Sequence, residues 1–156
     1  MNKHLKILAK CAVIFFITAC SSAGDPASYN NEMMAIINAN EQHITKMNAA
    51  MNAKDYTKAS EIRETWEAAL QNQQEQIEKL GDFDGDATLK KGILAGLNVY
   101  QKIVEEDYAK LIEIRSSGKE DITGETTALN HINAAFEEAA QAVNTAGTAF
   151  KDKHAQ

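Results

Sequence analysis

Apolar residues recur along most of this chain at intervals of three and four. Met33, Ile37, Asn40, Ile44, Met47 and Met51 follow one another at spacings of 4, 3, 4, 3 and 4. That spacing puts them on one face of an α-helix, so a helix is predicted over about 27–53. Asp25-Pro26 stands just before it, a helix-start pair with proline at the first turn. Asp55 is placed to cap a second helix over about 56–80, whose stripe is Ala59, Ile62, Trp66, Leu70, Gln73, Ile77 and Leu80.

Two polar breaks follow. The segment GDFDGD, residues 81–86, ends the second helix, and Asp86 can cap a third over about 87–115. The third stripe is Leu89, Ile93, Leu97, Tyr100, Val104, Leu111 and Ile114. After SSGKED, residues 116–121, a fourth helix over about 124–151 carries Leu129, Ile132, Phe136, Ala139, Val143, Ala146 and Phe150. No alternating pattern competes as a strand. Short breaks between long helices favour antiparallel neighbours. The expected fold is all-α, an antiparallel up-down-up-down four-helix bundle over residues 28–156. A three-helix bundle with one fused helix would need helix through Gly81 and Gly85, which glycine disfavours. In the up-down order, the start of the first helix, GDFDGD and the C-terminus share one end.

The first twenty-five residues read differently. Lys3, Lys6 and Lys10 precede an uncharged run from Cys11 to Ala19. The run is far short of the roughly 20 residues that cross a bilayer. It reads as a signal peptide over 1–19. Its end, Ile17-Thr18-Ala19-Cys20, resembles a bacterial lipobox. The resemblance implies cleavage before Cys20 and acylation of its thiol and new amine, with 20–27 as lipidated cysteine and tether. Ordinary secretory cleavage near Ala19 or Ala23, with Cys20 incidental, is the other reading. Cys11 falls in the discarded segment. An acylated Cys20 therefore leaves no thiol for a disulfide or a thiolate metal site.

Composition supports helices and limits partners. Pro26 is the only proline. The chain has 16 Lys and Arg against 22 Asp and Glu; without Lys3, Lys6 and Lys10 the balance is 13 against 22, net −9. Nucleic acid, which needs a basic footprint, is not an expected partner.

Candidate chemistry is sparse. Asp82, Asp84 and Asp86 have the spacing that opens a calcium loop, but Ala87 and Ile93 stand where that loop needs glycine and glutamate. They remain weak metal candidates, and their plainer role is capping the next helix. No Glu-x-x-His or Cys-x-x-Cys-His segment occurs, and no catalytic constellation stands out. Met47 or Met51 with His131 could hold a haem only if His131 faced inward, and it falls off its stripe; His43 reads as a boundary residue and His154 as tail. Asn40 and Gln73 interrupt apolar stripes, either as buried amides that fix register or as the lining of a small polar cavity for a ligand. Gly92 and Gly96 inside the third helix imply close approach by a neighbour, a role that suits the Ala-lined fourth helix, with a binding groove at these glycines as the alternative.

Three stretches, YNNEM at 29–33, KDYTKA at 54–59 and LGDFDGDATLKKGILAGLNVYQKIVEEDY at 80–108, resemble small helical lipoproteins of Gram-negative bacteria. The resemblance implies a helical bundle at the outer membrane or cell surface and supplies no activity or catalytic residue. Ser21, where an aspartate would mark inner-membrane retention, also points to the outer membrane. The expectation is a non-enzymatic envelope lipoprotein without a cofactor, held in the bilayer through Cys20 and meeting an envelope protein partner. The alternative is a tethered bundle that binds a small ligand or metal.

Overall fold

The computed structural model describes residues 24–154. The signal peptide, Cys20 and residues 21–23 of the tether lie outside the described residues. Those described form helices and turns, with no strand among them. Helix α1 spans Pro26–Asn38, α2 Asn40–Asn52, α3 Tyr56–Leu80, α4 Thr88–Lys102, α5 Tyr108–Ser116 and α6 Ile122–His154. A π-helical turn, Ile103–Asp107, joins α4 to α5.

The caps follow the sequence. Asp25 Oδ2 accepts from the Ser28 N–H at 3.0 Å, and Asp55 Oδ1 accepts from the Lys58 N–H at 2.9 Å. Gly81 stops α3 with φ +72°, a conformation that L side chains rarely take. Asp121 Oδ1 accepts from the Gly124 N–H at 2.9 Å near the start of α6.

Two predicted helices are interrupted. The helix expected over 27–53 breaks at Ala39. Asn40 Nδ2 donates to the Ile37 carbonyl at 2.8 Å, so a side chain competes with the backbone for that acceptor. The helix expected over 87–115 widens into the π turn, closed by the Tyr108 N–H donating to the Ile103 carbonyl. The extra residue shifts the buried face, and Ile103, Val104, Tyr108, Leu111 and Ile112 all turn inward. Burial pushes the Tyr108 phenol up to about 12.

The core holds Trp66, Met33, Met47, Leu70, Ile93 and Phe150, each 2 % exposed or less. Asn40 and Gln73 lie within it. Trp66 Nε1 donates to Asn40 Oδ1 at 2.7 Å, and Asn40 Nδ2 donates to Gln73 Oε1 at 2.8 Å. Among the described residues no buried side-chain nitrogen or oxygen lacks a partner. The network therefore ties α2 to α3 without stranding a polar group.

Helix α4 lies along α6, α2 packs on α3, and α1 packs on α3 and α4. The two helical glycines make the α4–α6 contact close. A Cβ on Gly92 would collide with Ala146 Cβ and come within 3.1 Å of the Ala142 carbonyl. One on Gly96 would come within 2.8 Å of Val143 Cγ2.

Candidate functional site

The start of α1, the 81–87 loop and the end of α6 meet. Tyr29 on α1 donates its hydroxyl to the Gly81 carbonyl at 2.7 Å. Its ring lies 5.2 Å from Phe83 and 5.5 Å from Phe150. Phe83 meets Phe150 edge-on at 5.3 Å. The loop is a tight turn, with Phe83 and Asp86 exchanging N–H···O bonds of 3.1 and 2.8 Å. Asp84 and Gly85 take positive φ values of 49° and 81°. This turn buries Phe83 and Asp86 and leaves Asp82, Asp84 and Gly85 exposed.

Asp86 is the buried carboxylate here, and protein donors occupy both its oxygens. Oδ1 accepts from the Thr88 N–H at 3.0 Å and the Thr88 hydroxyl at 2.6 Å. Oδ2 stands 2.8 Å from His154 Nε2 and 3.1 Å from Lys153 Nζ. The Thr88 hydroxyl and then His154 hold this carboxyl well below the usual carboxylate range. Asp82 instead pairs with Lys90 at 2.8 Å, and Asp84 faces solvent.

The three aspartates are therefore not assembled as a metal site. The turn sends Asp82 and Asp86 to different cations, and Asp86 keeps no free oxygen. Among the described residues no group of three or more His, Cys, Asp or Glu is placed to hold a metal ion. Asp86 is not the N-cap of α4, which is Ala87 without a side-chain cap bond; it stands one residue earlier and accepts from the N–H of Thr88, the first residue of the helix. His154 is not a loose tail residue; its ring lies 4.6 Å from Phe150 and 5.0 Å from Phe83. Neither Lys153 nor His154 was singled out as an Asp86 partner from sequence. Three basic residues in the last turn of α6 were the available signal.

The other candidates lie elsewhere. His43 stacks on Trp66 at 5.8 Å, and burial then Lys46 lower its pKa. His131 is 67 % exposed and stands 3.6 Å from Asp107, whose carboxyl burial pushes up. Met33, Met47 and Met51 fill the core.

Beside the Tyr29–Phe150 cluster a groove of about 860 Å³ runs between α1 and α6. Its apolar part is the buried Val143 and Phe150 with the half-buried Pro26 and Met34. Exposed Asn31, Asn144, Thr148 and Lys151 also line it. A second depression of about 800 Å³, between α3 and α4, is an open polar surface where Gln74 donates to Asn98 and Gln101. No protein-family model matches the chain, and no curated protein or solved structure matches it either.

Proposed function

We propose that this chain is an envelope lipoprotein: cleaved before Cys20, acylated there, and anchored in the outer membrane. Its helices then act as an antiparallel up-down-up-down four-helix bundle, a non-enzymatic module that meets an envelope protein partner. The observation that carries the reading is Ile17-Thr18-Ala19-Cys20 at the end of a short apolar run behind three lysines. Two or three fatty chains on one residue make release from a bilayer slow, since each buried methylene contributes about 0.8 kcal/mol.

The helix ends give the reading an orientation. Asp25 begins the described helices five residues after Cys20. The Tyr29–Gly81 and Asp86–His154 contacts gather the loop and the end of α6 at that same end. The anchored molecule would hold this end toward the bilayer and the 116–121 break away from it. Among the described residues no helix is long and apolar enough to cross a membrane.

Labelled palmitate tests the anchor. The wild-type chain should take up label and show the acyl mass on an N-terminal Cys20; Cys20→Ser should lose both. Wild-type protein free in culture fluid, starting at another residue and without acyl mass, would end the proposal. Cross-linking on intact membranes then tests the module, which should capture one envelope protein at fixed stoichiometry.

A further inference from the structure

Packing does not explain the glycine in the wall of the α1–α6 groove. Gly147 lies inside α6, where glycine costs about 1 kcal/mol relative to alanine. Gly92 and Gly96 each have a helix pressed against them, whereas a Cβ on Gly147 would meet nothing within 4 Å. The missing side chain leaves space in a groove that already holds about 860 Å³. That size falls within the roughly 300–1,000 Å³ of pockets that enclose a small ligand.

We propose that this groove receives an acyl chain carried by Cys20 whenever the protein is off the membrane. The inference rests on the lipoprotein reading above. Position is the first argument. Asp25 and Pro26 line the groove, and Asp25 is five residues from Cys20. Five residues span at most about 17 Å. A group on so short a tether faces the groove at an effective concentration on the order of millimolar.

Chemistry is the second argument. A diacylglyceryl, N-acylated cysteine brings hydrocarbon together with ester and amide carbonyls that accept hydrogen bonds. The groove offers the hydrocarbon Met34, Val143 and Phe150, and its amide and hydroxyl donors are Asn31, Asn144 and Thr148. A bilayer shelters every chain, while the groove shelters one, so the bilayer wins wherever it is present. Docking therefore matters in water, between leaving one membrane and entering another.

Thiol probes on the full acylated chain test this, because the mature sequence has no other free thiol once Cys20 is modified. Thr148→Cys places a probe in the groove and Ser117→Cys one at the end of α5, in the 116–121 break away from the groove. Each protein is purified from membranes, its acyl mass is verified, and its reaction with a polar maleimide is timed with and without detergent micelles. Micelles draw the chain out of the groove, so the thiol at 148 should react at least tenfold faster with detergent, and the thiol at 117 at an unchanged rate. Gly147→Leu, which fills the groove, should abolish the contrast at 148 and leave the detergent-free protein self-associated. Equal rates at 148 with and without detergent overturn the inference. So does an equal change at both positions, which self-assembly of exposed lipid would give. A verified acyl mass with either result leaves the lipoprotein reading standing; a missing acyl mass brings down both.

Discussion

Ala146 and Gly147 are neighbours on α6 in opposite situations. Ala146 presses on Gly92 of α4, and Gly147 has nothing within 4 Å of where its side chain would be. On the α4 flank small residues bring two backbones together, close enough that the Ala142 carbonyl nearly touches the next helix. On the α1 flank a small residue keeps a groove open. The same saving in side-chain volume closes one interface and opens another. The difference comes from what holds the opposite wall. Helix α4 packs against α6 along its length. Helix α1 is fixed elsewhere, by Tyr29 to Gly81 and by the Asn40 network that begins the next helix on α3.

The largest expected effect breaks the closed flank. Gly92→Leu would drive a side chain into Ala146 and against a backbone carbonyl that cannot move aside. Overpacking of this kind costs about 3 kcal/mol. Chemical denaturation should show that loss, or no cooperative transition at all. Next comes the device that holds α1 and α2 away. Asn40→Ala leaves the Trp66 N–H and the Gln73 amide without their partner in the core, at a cost of about 2 kcal/mol. These groups are neutral, so the loss should be the same at pH 5 and pH 8.

These two effects also mark what the sequence makes legible. Local periodicity exposed the buried stripes, and with them Asn40, Gln73, Gly92 and Gly96 as residues out of character. The caps at Asp25 and Asp55 were readable because a cap is a contact over three residues. The π turn left no trace in the third stripe, because Val104, Tyr108 and Leu111 keep the ordinary helical spacing of 4 and 3. The Asp86–His154 contact joins residues 68 apart, and no local pattern carries such a distance. The groove was not legible for the same reason. Gly147 stands in the sequence like any helical glycine until its neighbours are known.

Asp86 extends the comparison to the end of the groove, where it ties the loop to the last turn of α6. Asp86→Asn keeps an oxygen for Thr88 but removes the charge facing Lys153 and His154. The expected loss is about 1 kcal/mol at pH 7, since charge-assisted bonds exceed neutral ones by that order. The folded carboxyl titrates below its unfolded value. Its contribution is therefore complete above about pH 4 and drains away as pH falls toward the folded value. Denaturation curves of wild type and Asp86→Asn should converge below pH 4, and a constant gap down to pH 2 would count against the role given to this carboxylate.

The smallest effect is the sharpest test, because it reverses sign. Gly147→Ala adds one methyl where there is room and removes the helical cost of glycine, so it should stabilise by about 0.5–1 kcal/mol. For a domain of this size that raises the melting temperature by about 2–4 °C. Gly92→Ala adds the same methyl to another helix interior and should destabilise, because Ala146 already occupies the space. Propensity alone predicts a gain at both sites. Opposite signs therefore measure the packing difference between the two flanks directly, and two gains would mean that α4 can back away from α6. The methyl at 147 also narrows the groove. If the space serves an acyl chain, Gly147→Ala should gain stability and lose part of the detergent contrast at residue 148, a trade that a glycine without a function would not show.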